Sequence, residues 1–503
     1  MISYLNNINK LPIIIIKEIF NLIINECVPS NIRIYNEHKC WPISIKENSS
    51  GSERGSNSTG TLNNDYIVGL IDNGNHGSFY NTCIGRSGGN GSCSSVVLKE
   101  IVVLLNVCKQ WRSIMYNNRL HYAHIGSIDD FKLLIHLHKL YSLKFEYLNF
   151  HVKSSGVSGS PLDEENLYRM YLKFFQRYTG SSIIKIHELS NNMLQSDILE
   201  IMIENGSQVK ELHLIGKVPY TPSVLPNSLF HRKKLKSIII EKGLVDSSSP
   251  QILNHLLECS SRTSLTSLGL LNNQCNGITV NILSRILKSN KTIKYLNLEN
   301  NFINDGAEIS SFFQSLSSDT CVLEYLNMRS NIIGNQSINI LTKTLKCRNS
   351  FSRHLEYLDI SNNRISDDSA CSLIKVILLK TRISTLKLSH NYLGIGFIHT
   401  LRHHINNENS QLRSLDISKN NFKKASWDLV NLILMNQSLL EIDISQCQTK
   451  PKPLYYLIHH LYKNSFNHSI QKLLITPLNK LPQYIITEID KISNRSDTKI
   501  LYT

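Results

Sequence analysis

The chain is 503 residues long, room for about three domains of ordinary size and enough to bury a core without a metal or disulfides. Lys and Arg outnumber Asp and Glu by 54 to 39, a net charge of +15, and roughly one residue in ten is Asn, a drift spread along the chain that discounts part of the basic balance. The 11 cysteines are odd in number, scattered and never spaced C-x-x-C, and no apolar run reaches the length of a membrane span, which argues against disulfide scaffolds, zinc fingers and transmembrane proteins. The longest apolar run, Leu11 to Ile16, also falls short of a signal-peptide core, so a reduced compartment is expected: the cytoplasm, and the nucleus with it.

From the N-terminal side, two apolar helical segments are predicted, LPIIIIKEIFNLII from Leu11 and VVLKEIVVLLNVCKQWRSI from Val96. Pro12 suits the first turn of a helix, where its missing N–H is not needed. Between the segments, residues 47–95 are dominated by Ser, Gly and Asn, as in NSSGSERGSNSTG, and read as a disordered insert. Joined across it, Leu11, Pro12, Ile16, Ile19 and Phe20, then Val107, Cys108 and Trp111, resemble an F-box. The resemblance implies that these residues dock a Skp-type adaptor and, through it, a cullin. The spacing departs from that motif, since Phe20 and Val107 lie 87 positions apart. Such an insertion is cheap in closure entropy, each doubling of loop length costing only about 0.6 kcal/mol. The alternative is that the two segments form a helical cap that seals the rest of the fold. On either reading residues 1–125 form the N-terminal module, and 126–205 a helical or degenerate-repeat region, with FEYLNFHV at Phe145 and IIKIHELSNNM at Ile183 as its candidate repeats.

Internal repetition dominates residues 206–480. L-x-x-L-x-L-x-x-N-x-I/L/F begins at Leu265, Ile293, Leu323, Leu355, Ile383, Leu412 and Leu439, with starts 27 to 32 residues apart. Weaker copies, VKELHLIGK at Val209, LKSIIIEKG at Leu235 and IQKLLITPL at Ile470, keep the apolar positions and lose the Asn; 481–503 reads as a C-terminal cap or tail. In one unit, Leu355, Leu358 and Ile360 define a short strand whose alternate side chains point inward. A turn comes next whose Asn caps backbone groups: Asn273, Asn301, Asn331, Asn363, Asn391 and Asn420, with Cys447 in the same place. Each unit ends in a helix. DDSACSLIKVILLK is one, with Asp367 or Asp368 as expected N-cap, and DGAEISSFFQSL another, with Ile309, Phe312, Phe313 and Leu316 on its apolar side. These lengths resemble the ribonuclease-inhibitor class of leucine-rich repeats. That class implies an α/β solenoid: a horseshoe with parallel strands on its concave face and helices outside. Cys447 and Cys275 are then structural thiols.

No catalytic signature stands out, and neither a catalytic residue, a cofactor nor a metal is expected. SGGNGS at Ser87 lacks the preceding strand and the following Lys-Ser/Thr of a phosphate loop. His403-His404 and His459-His460 fall in helical halves of repeats, where neighbours point to different sides. The run HRKKLK, with Arg232, Lys233, Lys234 and Lys236, is not interleaved with aromatics and reads as a solvated loop, which makes nucleic acid the poorer partner. The third, fifth and seventh residues of each repeat should point away from the core. At the third position Tyr295, Tyr325 and Tyr357 form a row; at the fifth stand Asp359, Lys387, Asp416 and Asp443. Tyrosines at strand spacing beside acids suit a polypeptide partner carrying basic residues, although duplicated repeat sequence and strand preference also favour Tyr there. Tyr325→Ala and Tyr357→Ala are expected to weaken capture at nearly unchanged stability. With the F-box resemblance, the expected function is substrate recognition for a cullin-based ubiquitin ligase. The alternatives are a plain repeat scaffold, or a GTPase-activating protein of the Ran type. The latter proteins carry an acidic C-terminal run that KISNRSDTKILYT does not resemble.

Overall fold

The computed structural model describes residues 264–347 and 350–463 continuously, and 120–126, 128–141, 144–150, 169–178, 181, 183–189, 209–216, 235–241, 254, 469–475, 481–492 and 499–502 as shorter stretches. The F-box-like residues, the Ser/Gly/Asn-rich insert and Arg232 to Lys234 lie outside these. The chain divides into two units, 1–153 and 154–503.

In the first unit, β1 (Leu120–Ile125), α1 (Ile128–Tyr141) and β2 (Phe145–Phe150) make one strand–helix–strand turn, the strands parallel with Leu120 opposite Phe145 and Ile125 opposite Phe150. Phe131, Leu134 and Leu137 recur every third residue along α1 and are all buried. Phe131 meets Phe150 of β2 edge-on at 5.3 Å. Acidic Asp129 and Asp130 at the start of α1 and basic His138 and Lys139 at its end complement the helix dipole.

The second unit is built from strands laid side by side in chain order, each parallel to the next. The first are β3 (Ile183–Leu189), β4 (Glu211–Gly216), β5 (Ser237–Glu241) and β6 (Ser267–Leu271). They continue as β7 (Tyr295–Asn297), β8 (Tyr325–Asn327), β9 (Tyr357–Asp359) and β10 (Thr385–Lys387). The last are β11 (Ser414–Asp416), β12 (Glu441–Asp443), β13 (Lys472–Ile475) and β14 (Lys499–Tyr502). Strands therefore stand at the weak, Asn-less copies as well as the strong ones.

Helices follow strands: α2 (Gly277–Ser289), α3 (Ala307–Ser315), α4 (Asn335–Lys346) and the short α5 (Ser350–His354). Then come α6 (Asp367–Lys380), α7 (Ile395–His404), α8 (Ser426–Leu434), α9 (Pro451–Tyr462) and α10 (Gln483–Ile492). The core lies between the two layers. Leu296, Leu326, Leu358, Leu386, Leu415, Ile442 and Leu473 stand opposite one another across the sheet and are essentially unexposed. Ile309, Phe312, Phe313 and Leu316 come up from the helical layer to meet such rows, as helical spacing predicts. Each buried aliphatic side chain contributes about 1.5–3 kcal/mol relative to exposure. A single unit supplies one strand and one helix and leaves the sides of its core open, so neighbours must stack. Among the described residues no helix is long and apolar enough to cross a membrane.

Candidate protein-binding face

The repeat turn fixes everything that the sheet presents. The residue before each turn Asn has a left-handed backbone: Asn272, Asn300, Ser330, Asn362, His390 and Lys419 have φ between 52° and 56°. That reversal aims the Asn side chain inward. The Asn363 amide nitrogen donates to the carbonyls of Ile360 (3.1 Å), Ser361 (3.0 Å) and, one repeat earlier, Met328 (3.0 Å); its oxygen accepts from the Ile333 N–H (3.0 Å). Asn301, Asn331, Asn391 and Asn420 repeat the pattern, and Asn273 donates to Ile240 and Leu271. Cys447 is buried and its thiol reaches the Ile417 carbonyl at 3.2 Å, the bond an Asn amide makes elsewhere. Burial pushes the Cys275 thiol up to about 12 and the Cys447 thiol higher still, so both stay protonated.

The helix starts depart from expectation. Ser366, not Asp367 or Asp368, is the N-cap residue of α6, and it makes no capping bond of its own. Asp367 instead accepts from the N–H groups of Gly394 (2.7 Å) and Gly396 (2.9 Å), at the start of α7 in the next repeat. Asp305 does the same for Gly334 (2.9 Å) at the start of α4, and Asn335 accepts from the Ser366 N–H (2.9 Å) at the start of α6. A Cβ on Gly334 would stand 2.6 Å from the Asp305 carboxylate, so a larger residue there would push the capping carboxylate aside. A local sequence pattern points each cap at its own helix, and a donor one repeat away falls outside that window.

The sheet face turned away from the helices carries the third, fifth and seventh residues of each repeat. Tyr295 stands opposite Tyr325, and Tyr325 opposite Tyr357, in the strand register. The ring centroids are 6.0 Å apart in the first pair and 4.2 Å in the second, where the rings stack nearly parallel. Lys387 closes the row, its ammonium 5.6 Å from the Tyr357 ring centroid. The stack changes one expectation. Tyr357 and Asp359 belong to this face but are only 7% and 2% exposed. Tyr325 covers the one, and the Tyr357 hydroxyl (3.5 Å) and the Ser361 N–H (2.9 Å) engage the other. Tyr357→Ala would therefore open a hole in the stack and cost stability. The accessible part of the row is Tyr295 and Tyr325, both half-buried.

Beside the tyrosines, Glu299 accepts from Asn327 (3.1 Å) and lies 3.8 Å from Arg329. Burial pushes the Glu299 carboxyl up, and Arg329 opposes that shift. Further along, Asp416 accepts from the Ser418 N–H (2.9 Å) and hydroxyl (2.7 Å), and Asp443 from the Ser445 N–H (2.8 Å). Asp416 and Asp443 are register partners on adjacent strands. Burial, then the neighbouring Asp443 carboxylate, push Asp416 up to about 6; Asp443 is raised too, chiefly by burial. Lys387 acts on both in the opposite sense. Glu441 at the third position pairs with Lys472 at 2.5 Å. Nothing here combines a nucleophile with a base. Among the described residues, no group of His, Cys, Asp and Glu is arranged to hold a metal ion.

The Leucine Rich repeat family matches the chain at residues 351–373, the unit around Leu358 and Asn363. The sheet, the Asn turns and the helical backing agree with it. The fold is a leucine-rich-repeat solenoid, an open sheet of parallel strands backed by helices. Similar proteins include the protein phosphatase 1 regulatory subunit 37 homolog of Caenorhabditis briggsae, 32% identical over 149 residues, 29% of this chain and 16% of that protein. Another is the Rho GTPase-activating protein gacW of Dictyostelium discoideum, 24% identical over 215 residues, 42% of this chain and 19% of that protein. The chain thus spans less than a fifth of either relative. Among solved structures, the yeast complex of Rad7 and Elc1 aligns with a TM-score of 0.45 at 15% identity, over 81% of this chain and 92% of that one.

Proposed function

We propose that this leucine-rich-repeat protein is a non-catalytic adaptor whose sheet face holds a polypeptide carrying basic residues. The observation behind this reading is the Tyr295–Tyr325 pair on one row of the sheet face and Asp416 and Asp443 on the row two residues along. Tyr presents a rigid, amphipathic surface at small entropic cost, and the carboxylates select charge. Likeness to a phosphatase regulatory subunit, by its name a non-catalytic role, supports the same reading.

Within it we infer a finer role: substrate recognition for a cullin-based ubiquitin ligase, in the cytoplasm or nucleus. Its support is the F-box-like set Leu11, Pro12, Ile16, Ile19, Phe20, Val107, Cys108 and Trp111, which would dock a Skp-type adaptor. This chain would then contribute proximity alone, the transfer being done by other subunits.

The test is affinity capture of the tagged full chain beside a Leu11→Ala/Pro12→Ala variant and a Tyr295→Ala/Tyr325→Ala variant. Recovery of a Skp-type protein and a cullin with wild type but not with the first variant is expected. The remaining partners should be lost from the second variant alone. If no cullin is recovered, the ligase role fails, and the N-terminal segments are a cap. If the partner set survives the tyrosine change, the sheet face is not the recognition surface. The name of the Dictyostelium relative suggests GTPase activation as a second reading; stimulated GTP hydrolysis by Rho or Ran with purified chain would replace the adaptor with that activity.

A further inference from the structure

The sheet face suits a basic partner, yet the rim where α8 and α9 begin has the opposite character. Lys423 and Lys424 are exposed in the loop entering α8; Lys450 and Lys452 are exposed at the start of α9. The two loops abut, since the Lys450 N–H donates to the Ser426 hydroxyl at 3.1 Å. Residues 419–427 and 446–456 contain no carboxylate. The nearest in sequence, Asp428, is already engaged by Arg402 (3.3 Å) and His399 (3.5 Å). Among the described residues, no ion pair neutralises any of these four lysines. The protein thus holds a concentrated positive field here, strengthened by the N-terminal ends of two neighbouring helices.

Apolar surface lies within the same rim. Trp427 is 49% exposed and meets Tyr456 of α9 edge-on at 5.5 Å; Tyr455 meets Tyr484 of α10 the same way at 5.5 Å, and Tyr484 is 48% exposed. Between Lys450 and Lys452, Pro451 forms part of the wall of a cavity of about 310 Å³, with Leu454, Leu481, Pro482 and Ile485 on its apolar side and Gln448 and Thr449 on its polar side. That volume admits one large apolar side chain with room to spare. Charge, exposed aromatic surface and a hole with one apolar wall beside the charge are three separate properties of one place.

We propose that this rim is a second docking surface, for an acidic polypeptide segment that inserts one apolar side chain into the cavity walled by Pro451 and Leu454. A peptide fits better than a nucleic acid. The Trp427–Tyr456 and Tyr455–Tyr484 rings pair edge-to-face rather than forming a row of stacking platforms, and Leu454, Leu481, Pro482 and Ile485 give the cavity one apolar wall opposite Gln448 and Thr449. The inference does not depend on the role of the sheet face, because no residue is shared. It would make the protein a bridge between a basic and an acidic partner.

The test is fluorescence anisotropy of the full chain with labelled dodecapeptides rich in Asp and Glu that carry a central Leu, Phe or Trp. Controls are the same peptides with Gly at the centre, scrambled basic peptides, poly(U) and a DNA duplex. Saturable binding of the anchored acidic peptides is expected, falling about tenfold or more in Lys423→Glu/Lys424→Glu and in Lys450→Glu/Lys452→Glu, since like charges then face the ligand. Loss of the central apolar residue should weaken it severalfold. Lys343→Glu/Lys346→Glu on α4 should leave binding unchanged, as should Tyr295→Ala/Tyr325→Ala. All these side chains but the tyrosines are exposed or partly exposed helix or loop groups, and matching melting curves establish that the variants fold. Absence of saturable binding, indifference to the central residue, or tighter lysine-dependent binding of poly(U) or DNA than of any peptide would each overturn the proposal.

Discussion

At the residue scale, the turn Asn organises the molecule. Asn363 spends its amide hydrogens on three carbonyls in two repeats and its oxygen on an N–H of the preceding repeat. Alanine would strand buried backbone groups that water cannot reach. Asn363→Ala is expected to lower the unfolding free energy by about 2–3 kcal/mol in urea denaturation, because each buried group left unpaired costs about 1–3 kcal/mol. An unchanged midpoint would mean that the turn relaxes to readmit water. Cys447 shows that the position asks for an inward donor rather than for Asn as such: a thiol makes one of the same bonds. These positions were legible in the sequence because the repeat marks them seven times over. The left-handed residue before each was not, since Asn, Ser, His and Lys all occupy it. What selects that conformation is the turn, not the side chain.

At the element scale, strands and helices were legible wherever the periods of two and 3.6 alternate at fixed distance. Even β4 and β5, which lack the turn Asn, keep the apolar positions of the repeat strand. The source of the helix caps was not legible. Asp367 begins α6 but serves α7, because stacking brings the start of α7 within hydrogen-bond reach of its carboxylate. Asp367→Ala should therefore lower stability by about 1–2 kcal/mol through α7. Amide hydrogen exchange is the discriminating measurement. Protection should fall at Gly394 to Phe397 and stay as it was at the start of α6; the reverse pattern would restore the local cap that the sequence suggests. Burial on the sheet face was equally hidden. Register places Tyr357 beside Tyr325, but only side-chain packing decides that one tyrosine lies beneath the other.

For the whole molecule, two faces of opposite charge on one solenoid arise from which residues fill non-core positions, and net charge conceals this. The overall +15 coexists with Asp416 and Asp443 on the sheet face. Asp416 is raised to about 6, so the folded state takes up a proton more readily than the unfolded chain. Its contribution to stability is fully present below the unfolded carboxyl range near 4 and is lost as pH rises through about 6. Asp416→Asn keeps an oxygen for the Ser418 donors and removes the charge. Its melting temperature should exceed that of wild type at pH 7.5, with the gap closing as pH falls to 4. A gap independent of pH would place the burial cost elsewhere. Capture of a basic partner on this face should strengthen over the same rise in pH.

The inter-repeat bonds give the solenoid a direction. Strip away the unit that contains Asn391, and its predecessor loses the partner of the Ile365 N–H and one acceptor's donor at Ile360. Strip away instead the unit that contains Asp367, and its successor loses the anion at the start of α7. The first loss leaves buried backbone bare; the second only frays a helix tip, which solvent can heal. An unfoldase drawing the chain through a pore would thus meet different resistance according to the end it seized. Processive degradation of this protein should have a preferred polarity, written into which neighbour supplies which hydrogen bond.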